Sequence, residues 1–183
     1  MSKLNAAMRY AENGFSIFPC KANSKTPALR GWQEAATTDI EVILHWWCDN
    51  PDYNIGIVAD RHIVLDVDVK PSEGTDGFNS LQNHDPLPDT FTVHTPSGGK
   101  HFYFLPSSQC EMTICQGFEP GLDIRAGGKG YTIGAGSVID GLSYTTDCDD
   151  FFMAPAPDWV QEAAQKTKTV TTNIQLKVQS RDH

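Results

Sequence analysis

Residues 61–77, RHIVLDVDVKPSEGTDG, place two carboxylates in the most hydrophobic strand-like segment of the chain. In a strand, residues i and i+2 share a face. Asp66 and Asp68 therefore point one way, while Ile63, Leu65, Val67 and Val69 point the other way, into a core. Carboxylates roughly 6–7 Å apart along a strand repel each other unless positive charge lies between them. Mg²⁺ or Mn²⁺ answers that repulsion, because these hard cations take carboxylate oxygens. Two such ions about 3.5–4 Å apart serve phosphoryl and nucleotidyl transfer. The simpler alternative is an edge strand with a solvated outer face.

Two further groups follow downstream. In TPSGGKHFYF, His101 begins an aromatic strand just after a glycine turn. Ser97, the backbone N–H groups of Gly98 and Gly99, Lys100 and His101 together suit a phosphate. The alternative is an ordinary hairpin, and His62, His84 and His94 are read as surface or satisfied core residues. In GLDIRAGGKGYTIGAGS, Asp123 and Arg125 again share one face of a strand. They form either a structural ion pair or the third carboxylate of a metal site beside a triphosphate contact. The glycine run is not a Walker A sequence and lacks the strand–helix context of a dinucleotide fold.

The elements that must hold these residues alternate in type, with eleven prolines and fifteen glycines as punctuation. Leu4, Ala7, Met8 and Ala11 lie at helical spacing over residues 2–13, with Gly14 as the stop. FSIFP reads as a strand and CKANSKTPALRGW as a polar loop carrying Lys21, Lys25 and Arg30. Thr38 or Asp39 caps a helix whose apolar face is Ile40, Ile43, Leu44 and Trp47, ended by Pro51. NIGIVA and HIVLDVDV are two strands separated by a tight turn. GFNSLQNH is a short helix, and SGGK joins TFTVHTP and HFYFLP as a hairpin. Two or three more strands follow, and Pro157 with DWVQEAAQ begins a last helix. The predicted organisation is one domain over residues 1–165 and a polar, basic linker or tail over 166–183.

Composition narrows the class. With 183 residues and 39% hydrophobic content, the chain builds a real core. No apolar run is long enough to span a bilayer, and the opening residues do not read as a signal peptide. Five cysteines at irregular spacing read as reduced thiols in a cytosolic protein. Cys110 and Cys115 form a C-x4-C pair, but structural zinc takes four ligands and none is expected here. The net charge of −9 argues against a simple polyanion-binding surface. Residues 61–140 carry ten acidic and five basic side chains, which suits a metal-dependent centre in which cations invert the local sign.

The ordered set of an apolar D-x-D strand, S-G-G-K-H before an aromatic strand, and G-x-D-I-R-x-G-G before a glycine-rich strand resembles the bifunctional DNA primase/polymerase family, within the archaeo-eukaryotic primase superfamily. ALRGWQEAATTD, WWCDNPDYNIGIVAD and GFSIFPCKANSKTP look like that family's N-terminal half, and the likeness covers about residues 4–160. The resemblance implies an α+β fold: an RRM-like mixed sheet as catalytic core, packed with an N-terminal α/β module. It matches Asp66, Asp68 and Asp123 to the metal carboxylates and His101 to the histidine that contacts the incoming nucleotide's phosphates. Gly99 takes the place where the superfamily often has a small polar residue, and Ser97 supplies the serine. Lys100 and Arg125 extend the phosphate site by extrapolation. The family is common in phage and plasmid replication, and relatives often carry a helicase downstream. No helicase motif follows here, so the chain stands alone or is part of a larger protein.

The implied activity is template-dependent primer or strand synthesis on single-stranded DNA from NTPs or dNTPs. Two ions activate the 3′-hydroxyl and stabilise the leaving pyrophosphate. The template is expected along the open face of the sheet, with Lys21, Lys25, Arg30 and the basic tail on its phosphates. Trp46, Trp47, Phe102 and Tyr103 are available for stacking, although most are expected in the core. A possible partner is a replicative helicase, and no membrane is expected. Two other classes remain: a D-x-D glycosyltransferase, which leaves S-G-G-K-H without a role, and a non-catalytic nucleotide- or DNA-binding initiation module.

Overall fold

Helix α1 (Lys3–Glu12) starts where Ser2 Oγ accepts the amide of Asn5 at 3.1 Å, an N-cap that satisfies one orphan donor. Strand β1 (Ile17–Cys20) follows, then α2 (Trp32–Ala35) and α3 (Ile40–Asp49). Asp39 caps α3 by accepting the amides of Glu41 and Val42, while Ile43 and Trp47 face inward. Next come β2 (Asn54–Val58), β3 (Ile63–Val67), β4 (Val69–Lys70) and β5 (Thr75–Asp76). Helix α4 (Gly77–Leu81) leads to the hairpin of β6 (Thr92–His94) and β7 (Lys100–Leu105). Strands β8 (Cys115–Glu119), β9 (Leu122–Arg125), β10 (Tyr131–Ile133), β11 (Val138–Ile139), β12 (Leu142–Ser143) and β13 (Ala154–Pro155) precede α5 (Asp158–Ala164). These elements belong to a computed structural model that describes residues 1–107, 109 and 111–165. The predicted tail over 166–183 and Cys110 lie outside the described residues.

The fold is α+β, with two principal sheets. The larger has the order β13-β7-β3-β9-β8, with β6 also paired to β7; β13 runs parallel to β7, so the sheet is mixed. The smaller has the order β1-β2-β10, antiparallel throughout. The sequence reading placed an N-terminal module beside the catalytic sheet. In the structure that module is not contiguous, because β10 arrives from beyond β3, β7 and β9 to complete it. NIGIVA and HIVLDVDV accordingly join different sheets rather than each other.

Both faces of β3 are covered. Ile63, Leu65 and Val67 are fully buried in an aliphatic cluster with Leu122, Ile124 and Phe104 of the neighbouring strands and Val160 and Ala164 of α5. Val64 faces the opposite way, into a larger aromatic-rich cluster with Phe15, Phe18, Trp47, Phe91 and Tyr103. That second cluster glues the two sheets together, and the Tyr103 hydroxyl meets Thr132 Oγ1 of β10 at 2.8 Å. The edge-strand alternative and the extent of the predicted strand are both corrected here. First, β3 is not an edge strand but the centre of its sheet. Second, Val69 is only half-buried and stands in the separate β4–β5 ribbon, because the regular strand ends at Val67.

Candidate active site

The register of β3 decides which side chains meet. Asp66 pairs across to His101 of β7 on one side and to Asp123 of β9 on the other. Directly opposed residues in a sheet point to the same face, so the three form one row. The next row on that face is Tyr103, Val64 and Arg125. Covering by the aromatic cluster stops between these rows: Val64 is dry, and Asp66 lies at the edge of a cavity of about 330 Å³.

Asp68 follows where the strand ends, and its backbone is held by two glycines. Its amide donates to the Gly121 carbonyl and its carbonyl accepts from the Gly77 amide, each at 2.8 Å. A Cβ on Gly77 would come within 2.3 Å of the Gly121 carbonyl oxygen, so only glycine permits this approach. Gly99 presses on the other side: its Cβ would lie 2.3 Å from the Val67 carbonyl oxygen. The S-G-G-K-H turn thus owes its second glycine to close packing against the acid-bearing strand. Its first, Gly98, has φ of +90° in the turn closed by Thr95 and Gly99.

Asp66, Asp68 and Asp123 each offer a carboxylate oxygen, all within 4.8 Å of one another. At an effective dielectric of 20, two charges at that spacing repel by about 3–4 kcal/mol. The protein supplies partial compensation. Arg125 Nη2 lies 3.1 Å from Asp123 Oδ2 and 3.4 Å from Asp66 Oδ2. The Gly117 amide donates to Asp123 Oδ1 at 2.6 Å, and Lys70 Nζ stands 3.2 Å from Asp68 Oδ2. His101 Nε2 is 3.5 Å from Asp66 Oδ1, an electrostatic contact beyond good hydrogen-bond geometry. Asp66 Oδ1 is buried with no hydrogen-bond partner among the described residues.

Burial raises the Asp66 carboxyl above its ordinary value; His101 and Arg125 oppose this, while Asp68 and Asp123 add to it. Burial likewise lowers the His101 imidazole, against the pull of Asp66. A buried carboxylate oxygen without a donor, in a cluster of three all-oxygen ligands, fits a hard divalent cation.

The cavity beside the carboxylates is lined by Asp66, His101 and Arg125 from the larger sheet, and by Tyr131, Thr132 and Ile133 from the smaller. Lys25, Lys129 and Tyr144 complete its polar wall. Of the residues singled out from sequence, Asp66, Asp68, Asp123, His101 and Arg125 gather here. Asp123 and Arg125 satisfy both of their readings, since they are an ion pair within the acidic cluster.

Ser97 lines an adjoining cavity that shares Lys25 and Tyr144 with the first. Lys100 does not line the cavity beside Asp66. As the strand neighbour of His101 it points to the opposite face, with Nζ 6.0 Å from the Phe78 ring centroid. The other histidines have structural surroundings: His62 is buried between aromatic rings, His84 meets Glu119 at 2.6 Å, and His94 meets Asp147 at 2.7 Å. The template site expected on an open face is also revised, because among the described residues the aspartate-bearing face is covered at Val64 and Tyr103 by the aromatic cluster and reaches a cavity at Asp66. Trp47 and Tyr103 are fully buried core residues, and Trp46 and Phe102 are half-buried against it.

Sequence reading missed Lys129 and Tyr144, and assigned Lys25 to the template. Lys129 had an available signal, since it lies four residues beyond Arg125 in the same glycine run. Lys25 and Tyr144 reach the cavity from remote segments and carried no local signal.

Among the described residues no helix is long and apolar enough to cross a membrane. A search of the curated proteins returns no match. A family model described as bifunctional DNA primase/polymerase, N-terminal, matches residues 7–159. That span includes Asp66, Asp68 and Asp123 together with His101 and Arg125, and the chain belongs to the bifunctional DNA primase/polymerase family.

Proposed function

We propose that the domain is a template-dependent nucleotidyltransferase that makes primers or DNA strands on single-stranded DNA. Asp66, Asp68 and Asp123 would hold two Mg²⁺ or Mn²⁺ ions. The observation that carries this reading is the convergence of three carboxylates, of which Asp66 has a buried unpartnered oxygen and lines a cavity that also carries cationic side chains.

Bound there, the metal supplies Lewis acidity for the attacking 3′-hydroxyl and for the leaving pyrophosphate. The chain's own groups position and compensate. Gly117 and Arg125 fix the Asp123 carboxylate, and the Gly77 and Gly121 backbone fixes Asp68. His101, which neighbours Asp66 across the strands and lines the cavity, would donate a hydrogen bond to a phosphate oxygen. Arg125 neutralises charge that grows on the phosphates in the transition state. Thr132, Ile133 and Tyr144 line the same cavity beside these groups.

A replication context in a phage or plasmid, a helicase partner and action in the host cytosol follow from the resemblance and belong to the same proposal. So does the boundary of the working domain near residue 165. Incorporation of labelled NTPs and dNTPs on single-stranded DNA tests the function, with and without a primer and with Mg²⁺ or Mn²⁺. Metal-dependent product is expected. No product under any of these conditions rejects catalysis and leaves a binding module.

A further inference from the structure

Lys25 lies in the loop between β1 and α2, far in sequence from the carboxylates, yet it lines their cavity. Its loop is fixed by several distant groups. Asn54 Nδ2 donates to the Ser24 carbonyl at 3.1 Å, and the Tyr131 hydroxyl donates to the Lys25 carbonyl at 2.9 Å. Asn23 and Asp140 exchange two hydrogen bonds, one of them Asn23 Nδ2 to Asp140 Oδ1 at 3.2 Å. Within the loop, the Lys21 amide donates to the Thr26 carbonyl at 2.8 Å, and the Thr26 amide to Ser24 Oγ at 3.0 Å. The backbone on both sides of Lys25 is thus preorganised, while its side chain is exposed.

The ammonium makes no ion pair among the described residues, although it faces an acidic site. It stands beside the Tyr144 hydroxyl, and its charge reaches His101. Lys25 and Tyr144 are also the wall shared with the adjoining cavity of about 290 Å³ that holds Pro96, Ser97 and Leu142. A cation at that junction shares one cavity with His101, Arg125 and Lys129. A space of about 330 Å³ suits a nucleotide rather than a polymer backbone, which runs over open surface. An ammonium carries three donors with no planar demand, and so adapts to the non-bridging oxygens of a polyphosphate.

We propose that Lys25 is a phosphate ligand for the incoming nucleoside triphosphate, so that the smaller sheet takes part in substrate binding rather than in gripping the template. This rests on the nucleotidyl-transfer reading above. Asn54, Tyr131 and the Asn23–Asp140 pair act as positioning residues for it.

The test uses the full chain as wild type, Lys25→Ala and Lys25→Arg. Incorporation is measured with nucleotide varied at saturating template, and then with template varied at saturating nucleotide. Binding of a fluorescent non-hydrolysable nucleoside triphosphate with Mn²⁺ is measured in parallel. Lys25→Ala is expected to raise the nucleotide KM and the analogue Kd roughly tenfold or more, the size of one charge-assisted hydrogen bond. The template KM should stay within about twofold, and Lys25→Arg should recover part of the loss. An active wild type whose nucleotide KM and analogue Kd are unchanged by Lys25→Ala overturns this inference alone. A rise confined to the template KM also overturns it. A wild type that neither incorporates nucleotide nor binds the analogue overturns the inference together with the reading beneath it.

Discussion

The two faces of β3 are built from the same short strand and end in opposite chemistry. One face, Ile63, Leu65 and Val67, is aliphatic from end to end and closed by α5. The other begins dry at Val64 against Tyr103 and ends at Asp66 among charged groups. Alternation alone does not separate them, because every residue of β3 is buried. The difference lies in where the covering layer stops. The smaller sheet and its aromatic cluster shield the first part of the second face, and the cavity opens where that shield ends. A strand buried on both sides can therefore carry a carboxylate that reaches a cavity, provided that the carboxylate sits at the strand's exit.

The largest expected effect is on the acidic end of the second face. Asp66→Asn should lower nucleotide incorporation by about a thousandfold or more, since the chemistry is positional and electrostatic. It should not lower the thermal midpoint, because burial already opposes the ionised form of this carboxyl. Incorporation assays beside thermal denaturation check both halves. A mutant that loses activity by unfolding would dissolve the contrast between the faces.

On the aliphatic face the expectation reverses. Leu65→Ala removes a fully buried side chain and should cost about 2–5 kcal/mol of stability. Activity per folded molecule should be retained, as read from denaturant titration and active-site-normalised rates.

The dry end of the second face contains His62, which lies 5.3 Å from the rings of both Phe15 and Tyr103 with Nε2 unpartnered among the described residues. Burial pushes its imidazole down to about 4 from 6.5. The unfolded chain binds a proton between those values that the folded chain refuses, so stability falls as pH drops from 6.5 towards 4. The loss from this one group reaches about 3 kcal/mol at the bottom of the window. His62→Phe should flatten that part of the stability–pH curve, and an unchanged slope would show that the histidine is not held neutral.

The smallest effect is expected at Lys100, whose side chain shares the Phe78 side of the sheet. Lys100→Ala should leave the nucleotide KM within about twofold, the usual scale for an exposed or half-exposed charge without a tight partner. A tenfold rise would return Lys100 to the phosphate site.

Much of this was legible in the sequence, for local reasons. The i, i+2 rule gave the shared direction of Asp66 and Asp68, and the glycine turn before His101 gave the hairpin. The cap at Asp39 and the inward-facing Ile43 and Trp47 of α3 were readable from spacing, whereas Leu44 of the same predicted face stands exposed. The same rule already separates Lys100 from His101, so their joint assignment ignored a signal that was present. What was not legible depends on pairing at a distance. The capture of β10 by the smaller sheet brings Tyr131, Thr132 and Ile133 to the cavity. The Asn54 and Tyr131 bonds aim the Lys25 loop at the same place, and no periodicity in the chain announces them.

The central claim is that the exit of β3 is a divalent-cation site. Mn²⁺ binding followed by electron paramagnetic resonance tests it without relying on turnover. The wild type should take up Mn²⁺, Asp66→Asn and Asp123→Asn should lose that uptake while remaining folded, and Leu65→Ala should keep it in its folded fraction. Equal Mn²⁺ uptake by the wild type and both aspartate variants would contradict the account.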